Sequence, residues 1–303
     1  MIDVFLRQAL DYEQAGDLIP DLLRRILPNI QGARLLIKPN FVAQRNAIVS
    51  CTHPSIIAAS ARYCLEQGAT VVIGDSPAFG TAQAIARTTG LERNLQALGI
   101  DIITLTAGRR VRSGAVEVPV SKQALKADLI LNLPKFKAHS QMLLTGAVKN
   151  LFGCVTGVNK AWLHARHGDK GTLFAEMISG LLQVLPPVYS LLDGVVAMHR
   201  TGPINGDPYL LRFLGASRSA VALDTAAAMS LGLESSHVPI WECCRTQRMP
   251  GSEPADLAFP QLAPTDFPAS GFQLPSSLKP ESFRPDVLLR SMMKRWWMSR
   301  FSA

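Results

Sequence analysis

Residues 33–77 read ARLLIKPNFVAQRNAIVSCTHPSIIAASARYCLEQGATVVIGDSP, and this stretch decides the fold. ARLLIKPNF is a short apolar run that predicts a buried strand ending near Lys38, where Pro39 and Asn40 stop it. A helix follows over THPSIIAASARYCLEQGA. Thr52 or His53 can cap it, Pro54 suits its first turn, and Gly68 suits the position just past its end. TVVIG is a second buried strand, ending in Asp75, Ser76 and Pro77. Strand, helix and strand at this spacing form a βαβ unit.

The pattern continues on both sides. Residues 3 to 27 predict a helix, from Leu6, Leu10, Leu18, Leu22 and Ile26, divided at Gly16 and Pro20. A helical region over 80 to 98, broken at Gly90, leads to a strand at 100–105. Residues 108–120 predict a hairpin with Ser113-Gly114 as its turn. Further strands are expected at 127–133 and 188–195, helices at 141–152 and 172–185, and a strand followed by a helix over 219–233. The Gly/Pro-rich loop after Asp193, which carries His199, reads as a lid or binding loop. The expected fold is α/β: a mostly parallel sheet with helices on both faces, a small β-hairpin insertion and a Pro-rich C-terminal extension. Composition changes late in the chain, with eight of the twenty prolines between Pro250 and Pro285, so residues 1–235 are expected as the α/β domain and 236–303 as the extension. Residues 286–301 (DVLLRSMMKRWWMSRF) predict a basic, Trp-bearing helix that docks on the body, touches a membrane surface or joins two copies.

The 303 residues carry a net charge of +8, which favours anionic partners. Aromatic residues are only 7% and no nucleic-acid type of basic run occurs, so a nucleic-acid reader is not expected. Five irregularly spaced cysteines predict a reducing, cytoplasmic setting, and without a CxxC pair an iron–sulfur cluster within the chain is not expected. No apolar run is long enough to span a membrane, and the first residues do not read as a signal peptide.

Polar groups gather where such a sheet binds ligands, outside the carboxyl ends of its strands. Lys38 and Asn40 end the first strand of the quoted unit, Asp75 the second, Asn132 and Lys135 another, and Asp193 the next. The densest stretch is LNLPKFKAHSQMLLTGAVKNLFGCVTGVNKAWLH, residues 131–164, with four of the ten lysines (Lys135, Lys137, Lys149, Lys160) and two of the six histidines (His139, His164). Ammonium groups are compact point charges whose pKa moves on burial. The expected site therefore binds a small anionic ligand through Lys38, Asn40, Asn132, Lys135, Lys137, Lys149, Asn150 and Lys160. His139 and His164 act as acid/base groups or ligands, and Asp75 and Asp193 orient, act as base or share a metal. A divalent metal would draw on His139, His164, Asp75 or His199. As for what such a site does, an enzyme on a phosphate- or carboxylate-bearing substrate leads. A carrier of a cofactor or metal without turnover, and a membrane-surface or scaffold protein using the C-terminal helix, are the alternatives.

The motifs IKPNF, THP, IGDSP, LNLPKFKAH, TGAVKNLFGCVTGVNK, the later His164, DGVVAMHRTGP and AVALD, in that order, resemble the domain of unknown function 362 family over about residues 34–230. Many relatives are associated with a ferredoxin-like iron–sulfur segment, which this chain lacks. In residue types, though not in aligned motifs, the lysines and histidines are also similar to those of nickel-pincer lactate racemase, which hold a nucleotide-derived nickel cofactor.

Overall fold

A computed structural model of the chain describes residues 1–156, 163, 172–267 and 269–278. In chain order the elements are β1 (Ile2–Gln8), α1 (Tyr12–Ile26), β2 (Arg34–Pro39), α2 (Ala47–Ser50), α3 (Pro54–Glu66), β3 (Thr70–Asp75), α4 (Ala82–Thr89), α5 (Leu91–Leu95) and β4 (Ile102–Thr104). Next come β5 (Gly108–Ser113), β6 (Val116–Ser121), α6 (Lys122–Lys126), β7 (Leu129–Leu133), β8 (Lys135–His139), β9 (Leu143–Thr145) and α7 (Ala147–Asn150). After the undescribed stretch follow α8 (Leu173–Val184), β10 (Val188–His199), β11 (Asp207–Ser217), α9 (Ala220–Met229), α10 (Pro239–Thr246) and β12 (Leu257–Ala258).

The main sheet runs β12-β1-β11-β10-β7-β2-β3-β4. From β10 to β4 every neighbouring pair is parallel, and β11 pairs antiparallel with both β10 and β1. The expected hairpin is present as β5–β6. Side chains alternate strictly between two cores. Leu35, Ile37, Leu129 and Leu131 pack with α1, α3 and α4, whereas Leu36, Ile130 and Leu192 pack with α7 to α10. Both faces of the sheet are therefore covered, which is why its strands read as unbroken apolar runs rather than as alternation.

Four expectations are corrected. Residues 3 to 27 are not one helix. Val4, Phe5 and Leu6 lie in β1, and α1 starts only after Asp11, whose carboxylate accepts the Gln14 N–H at 2.9 Å, and runs on through Gly16 and Pro20 without a division. An apolar triplet fits either period, and pairing with β11 decides it. Residues 141–152 are not one helix either. Leu143–Thr145 turn back against β8, and only Ala147–Asn150 is α-helical before a 3₁₀ turn at Leu151–Cys154. The segment 219–233 holds no strand; Ser219 caps α9 directly, and the strand lies earlier, as β11. Of the stretch expected as a lid or binding loop, Val195 to His199 continue β10, which pairs with β11 in a register from Ser190 opposite Ser217 to His199 opposite Asp207, and residues 200–206 form the loop that joins the two strands. Beyond residue 235, Ile240, Trp241, Cys244, Leu257 and Phe267 pack into the same core as Leu36 and Ile130, and β12 pairs with β1. The stretch 286–301 lies outside the described residues.

Candidate functional site

Register places the site. Lys38 on β2 lies opposite Asn132 on β7, which lies opposite Ser190 on β10. These three polar residues form a row across the carboxyl ends of adjacent parallel strands, on the face that α7 covers. Asn150, the last residue of α7, knits the row together. Its amide nitrogen donates to Asn132 Oδ1 at 2.8 Å and to Lys38 O at 3.3 Å. Its Oδ1 accepts from Asn40 Nδ2 at 2.9 Å and from Lys38 Nζ at 3.3 Å. Asn132 in turn donates to Ala147 O and to Ser190 Oγ.

Three lysines converge here, and none reaches water: Lys38 and Lys135 are 0% exposed and Lys137 is 1%. Their surroundings differ. Lys38 Nζ donates to Asp75 Oδ1 at 3.0 Å, to Pro39 O at 2.8 Å and to Asn150. Asp75 also accepts the backbone N–H groups of Phe41 and Ser76, each at 2.7 Å, so this carboxylate is committed to positioning. Gly153 closes over the pair, and a Cβ there would collide with both Asp75 and Lys38. Lys135 Nζ donates to Asp193 Oδ2 at 2.9 Å and to the Tyr12 hydroxyl at 2.7 Å, and lies 5.3 Å from the centre of the Tyr12 ring. Asp193 also accepts from the His53 backbone N–H and from the Tyr12 hydroxyl.

Among the described residues Lys137 has no such carboxylate partner. It donates to Asn40 Oδ1 at 2.6 Å and to Ser50 O at 2.7 Å, both neutral acceptors. Burial pushes its pKa down to about 7; the neighbouring charges of Lys149 and Lys135 lower it further, while Cys51 and Asp75 oppose the shift.

The remaining expected residues fall as follows. His139 is buried, and its Nδ1 accepts the N–H groups of Gln141 (3.1 Å) and Met142 (3.3 Å), which fixes the ring in the β8–β9 turn and makes Nε2 the protonated nitrogen of the neutral ring. His199 is not drawn into the cluster. Its ring packs on Tyr209 and Phe272, and its Nδ1 accepts the Gln273 N–H. Lys160 and His164 lie outside the described residues. Among the described residues no three His, Cys, Asp or Glu side chains gather closely enough to hold a metal ion.

Sequence reasoning missed Tyr12, His53 as a neighbour of the cluster, Thr52 and Asp224. The Tyr12 and His53 rings stack at 3.5 Å. Burial, helped by Asp193, raises the Tyr12 pKa, and burial lowers that of His53 to about 4 against the pull of Asp193. Thr52 Oγ1 donates to Leu133 O and accepts the Asn40 N–H, holding the β2 exit against β7. Asp224, on α9, accepts the N–H groups of Ala147 and Val148 and so pins the start of α7. Burial raises its pKa to about 7, opposed by the N–H bonds from Val148 and Ala147. The THP motif pointed to Thr52 and His53; no spacing marks Tyr12 or Asp224 as site residues.

A mostly parallel, two-faced sheet with ion-paired lysines at its strand ends defines an α/β protein with a buried polar cluster at the carboxyl ends of its parallel strands. The chain belongs to the family described as Domain of unknown function (DUF362), which it matches over residues 35–229. It is 35% identical to the thylakoid-associated protein sll1697 of Synechocystis sp. over 308 residues, covering 97% of this chain and 94% of that protein. Among solved structures it is similar to the lactate racemase apoprotein of Thermoanaerobacterium thermosaccharolyticum, with a TM-score of 0.45 and 11% identity over 71% of this chain. The chain spans only 54% of that racemase's length. Among the described residues no helix is long and apolar enough to cross a membrane.

Proposed function

We propose that this protein is an enzyme acting on a small anionic substrate, carrying a carboxylate or a phosphate, at the cluster of Lys38, Asp75, Lys137 and Asn150. One observation carries this reading: three buried lysines face two buried carboxylates, and among the described residues Lys137 has neutral hydrogen-bond partners only. A buried ammonium without a counter-charge is costly, and a bound anion supplies that charge. In the free protein the Lys137 amine sheds its proton near neutrality. An arriving anion restores the proton, so binding takes up a proton and weakens as pH rises above about 7.

The roles follow from the contacts. Lys137 and Lys149 attract the anion. Asp75 and Asp193 hold Lys38 and Lys135 in place rather than acting as bases, because their oxygens are filled by ammonium, hydroxyl and N–H donors. His139, fixed in the β8–β9 turn through its Nδ1, takes the proton-transfer role, and His164 and Lys160 complete the expected set.

The test is thermal-shift and calorimetric titration of exhaustively dialysed protein with inorganic phosphate and small carboxylates at pH 6 to 9. Stabilisation at pH 6 that fades by pH 9 and disappears in Lys137→Met supports the reading. An anion effect that Lys137→Met and Lys149→Met leave intact, or none at all, removes it.

A further inference from the structure

The three buried lysines differ in how many of their hydrogens find an acceptor. An ammonium carries three donors and no acceptor, whereas a neutral amine carries two donors and a lone pair. Lys38 Nζ has three oxygen acceptors, Pro39 O, Asp75 Oδ1 and Asn150 Oδ1, and one of them is charged, which is the complement of an ammonium. Lys135 Nζ has the Asp193 carboxylate, the Tyr12 hydroxyl and the Tyr12 ring, a setting that also suits a cation. Lys137 Nζ has two acceptors, Asn40 Oδ1 at 2.6 Å and Ser50 O at 2.7 Å, and neither is charged. Among the described residues no third acceptor meets it. Two neutral acceptors match the two hydrogens of a neutral amine and leave its lone pair unengaged. A third hydrogen would be buried without a partner, since the residue is 1% exposed.

The pKa of about 7, set first by burial, agrees with this count. A desolvated amine that is neutral near pH 7 is a nucleophile toward carbonyl carbon. Its position gives it a way in. Asn40, which holds it, is itself partly exposed, so the amine lies one side chain from solvent. The other acceptor belongs to Ser50, the last residue of the four-residue helix α2, whose Ile48 is exposed.

We infer that Lys137 is a nucleophile that forms an imine with a small 2-oxo acid. Nζ adds to the carbonyl carbon, and the C=O π pair passes to the oxygen. One proton moves from the nitrogen to that oxygen and a second comes from solvent. The oxygen leaves as water while the nitrogen lone pair closes the C=N bond. Amine, carbonyl and one proton give an iminium and water, and nothing is oxidised or reduced. The iminium puts a positive charge where Lys137 has neutral partners only, and the carboxylate attached to the imine carbon of a 2-oxo acid supplies the counter-charge. This rests on the reading of the lysine cluster as an anion site and names the electrophile that accompanies the anion.

The experiment incubates the dialysed full chain at pH 7.5 with glyoxylate or pyruvate, reduces it with sodium borohydride, and maps the modified lysines by peptide mass spectrometry. Borohydride delivers hydride to the iminium carbon and fixes the adduct as a secondary amine. Acetate is the anion without a carbonyl, and propanal is the carbonyl without an anion. Lys137 is expected to be modified at least about tenfold more than the exposed Lys122 and Lys126, with excess acetate reducing its labelling, and propanal labelling it about tenfold less than glyoxylate. Adducts confined to exposed lysines overturn the imine, and stabilisation of the same protein against heat by acetate or phosphate then leaves the anion reading standing. Lys137 adducts as abundant with propanal as with glyoxylate overturn the 2-oxo acid assignment. No adduct on Lys137, together with no stabilisation by any anion, ends both readings.

Discussion

The lysine without a carboxylate makes a prediction about stability that needs no ligand. Lys137 carries a pKa of about 7 in the folded protein against 10.5 for the free side chain. Between these values the unfolded chain holds a proton that the folded chain has released, so stability rises with pH across that window. Below about pH 7 both states are protonated and the contribution is flat, and above about 10.5 both are neutral. From pH 7 to 9 the gain is about 2 kcal/mol, and from pH 6 to 7 it is below about 0.5 kcal/mol, at 1.4 kcal/mol per tenfold change in proton affinity. Lys137→Met keeps the length of the side chain and removes the titration. It also strips Ser50 O and Asn40 Oδ1 of a donor. That second effect does not vary with pH and cancels when the difference between wild type and variant is followed. Urea unfolding of both proteins at pH 6, 7, 8 and 9, after removal of phosphate and carboxylate buffers, gives that difference. It is expected to grow in favour of wild type by about 2 kcal/mol from pH 7 to 9. A flat difference refutes the reasoning, because it means that Lys137 keeps its proton throughout.

Asp193→Asn leaves Lys135 buried without its counter-charge and is expected to cost about 3–5 kcal/mol in urea unfolding, with much of the loss recovered when Lys135→Met is added. Tyr12→Phe removes a hydroxyl bonded to Lys135, Asp193 and the Val196 N–H; about 1–2 kcal/mol should be lost by the same measurement. Gly146→Ala drives a methyl into Asp224 and frees the first N–H groups of α7, so a fall of about 1–3 kcal/mol should appear as a lowered melting temperature, whereas an unchanged melting temperature would show that Asp224 is not the cap.

Much of this arrangement could be read from the chain. The strands ending at Lys38, Asp75 and Asn132 are continuous apolar runs closed by a polar residue, and that signal is local. The pairing of Lys38 with Asp75, and of Lys135 with Asp193, could be anticipated only as convergence, because the partners lie 37 and 58 residues apart. Tyr12 was hidden by a different cause. Leu6 and Leu10 are four apart and join smoothly to the true helical spacing of α1, so the strand before it was absorbed into the helix and the tyrosine lost its place at a helix start. β11 was hidden by the Gly- and Pro-rich approach to it, since turn chemistry marks where a chain bends and not where the next strand begins. Asp224 sits in an alanine-rich helix, where a single carboxylate reads as solvent-facing until the partner helix is in view.

The Tyr12 hydroxyl is bonded to a carboxylate 181 residues away, and the His53 N–H to the same carboxylate 140 residues away. Such links cannot form piecemeal. The N-terminal helix, the β2–α3 segment and β10 must all be in place before Lys135 is enclosed. A buried cation enclosed by three distant segments then works as a checkpoint on assembly. The amide protons of His53 and Phe41, each donated to a buried carboxylate, should exchange with solvent only through global unfolding. A chain cut before β10 would lack the enclosure altogether, whatever else of the sheet it could form.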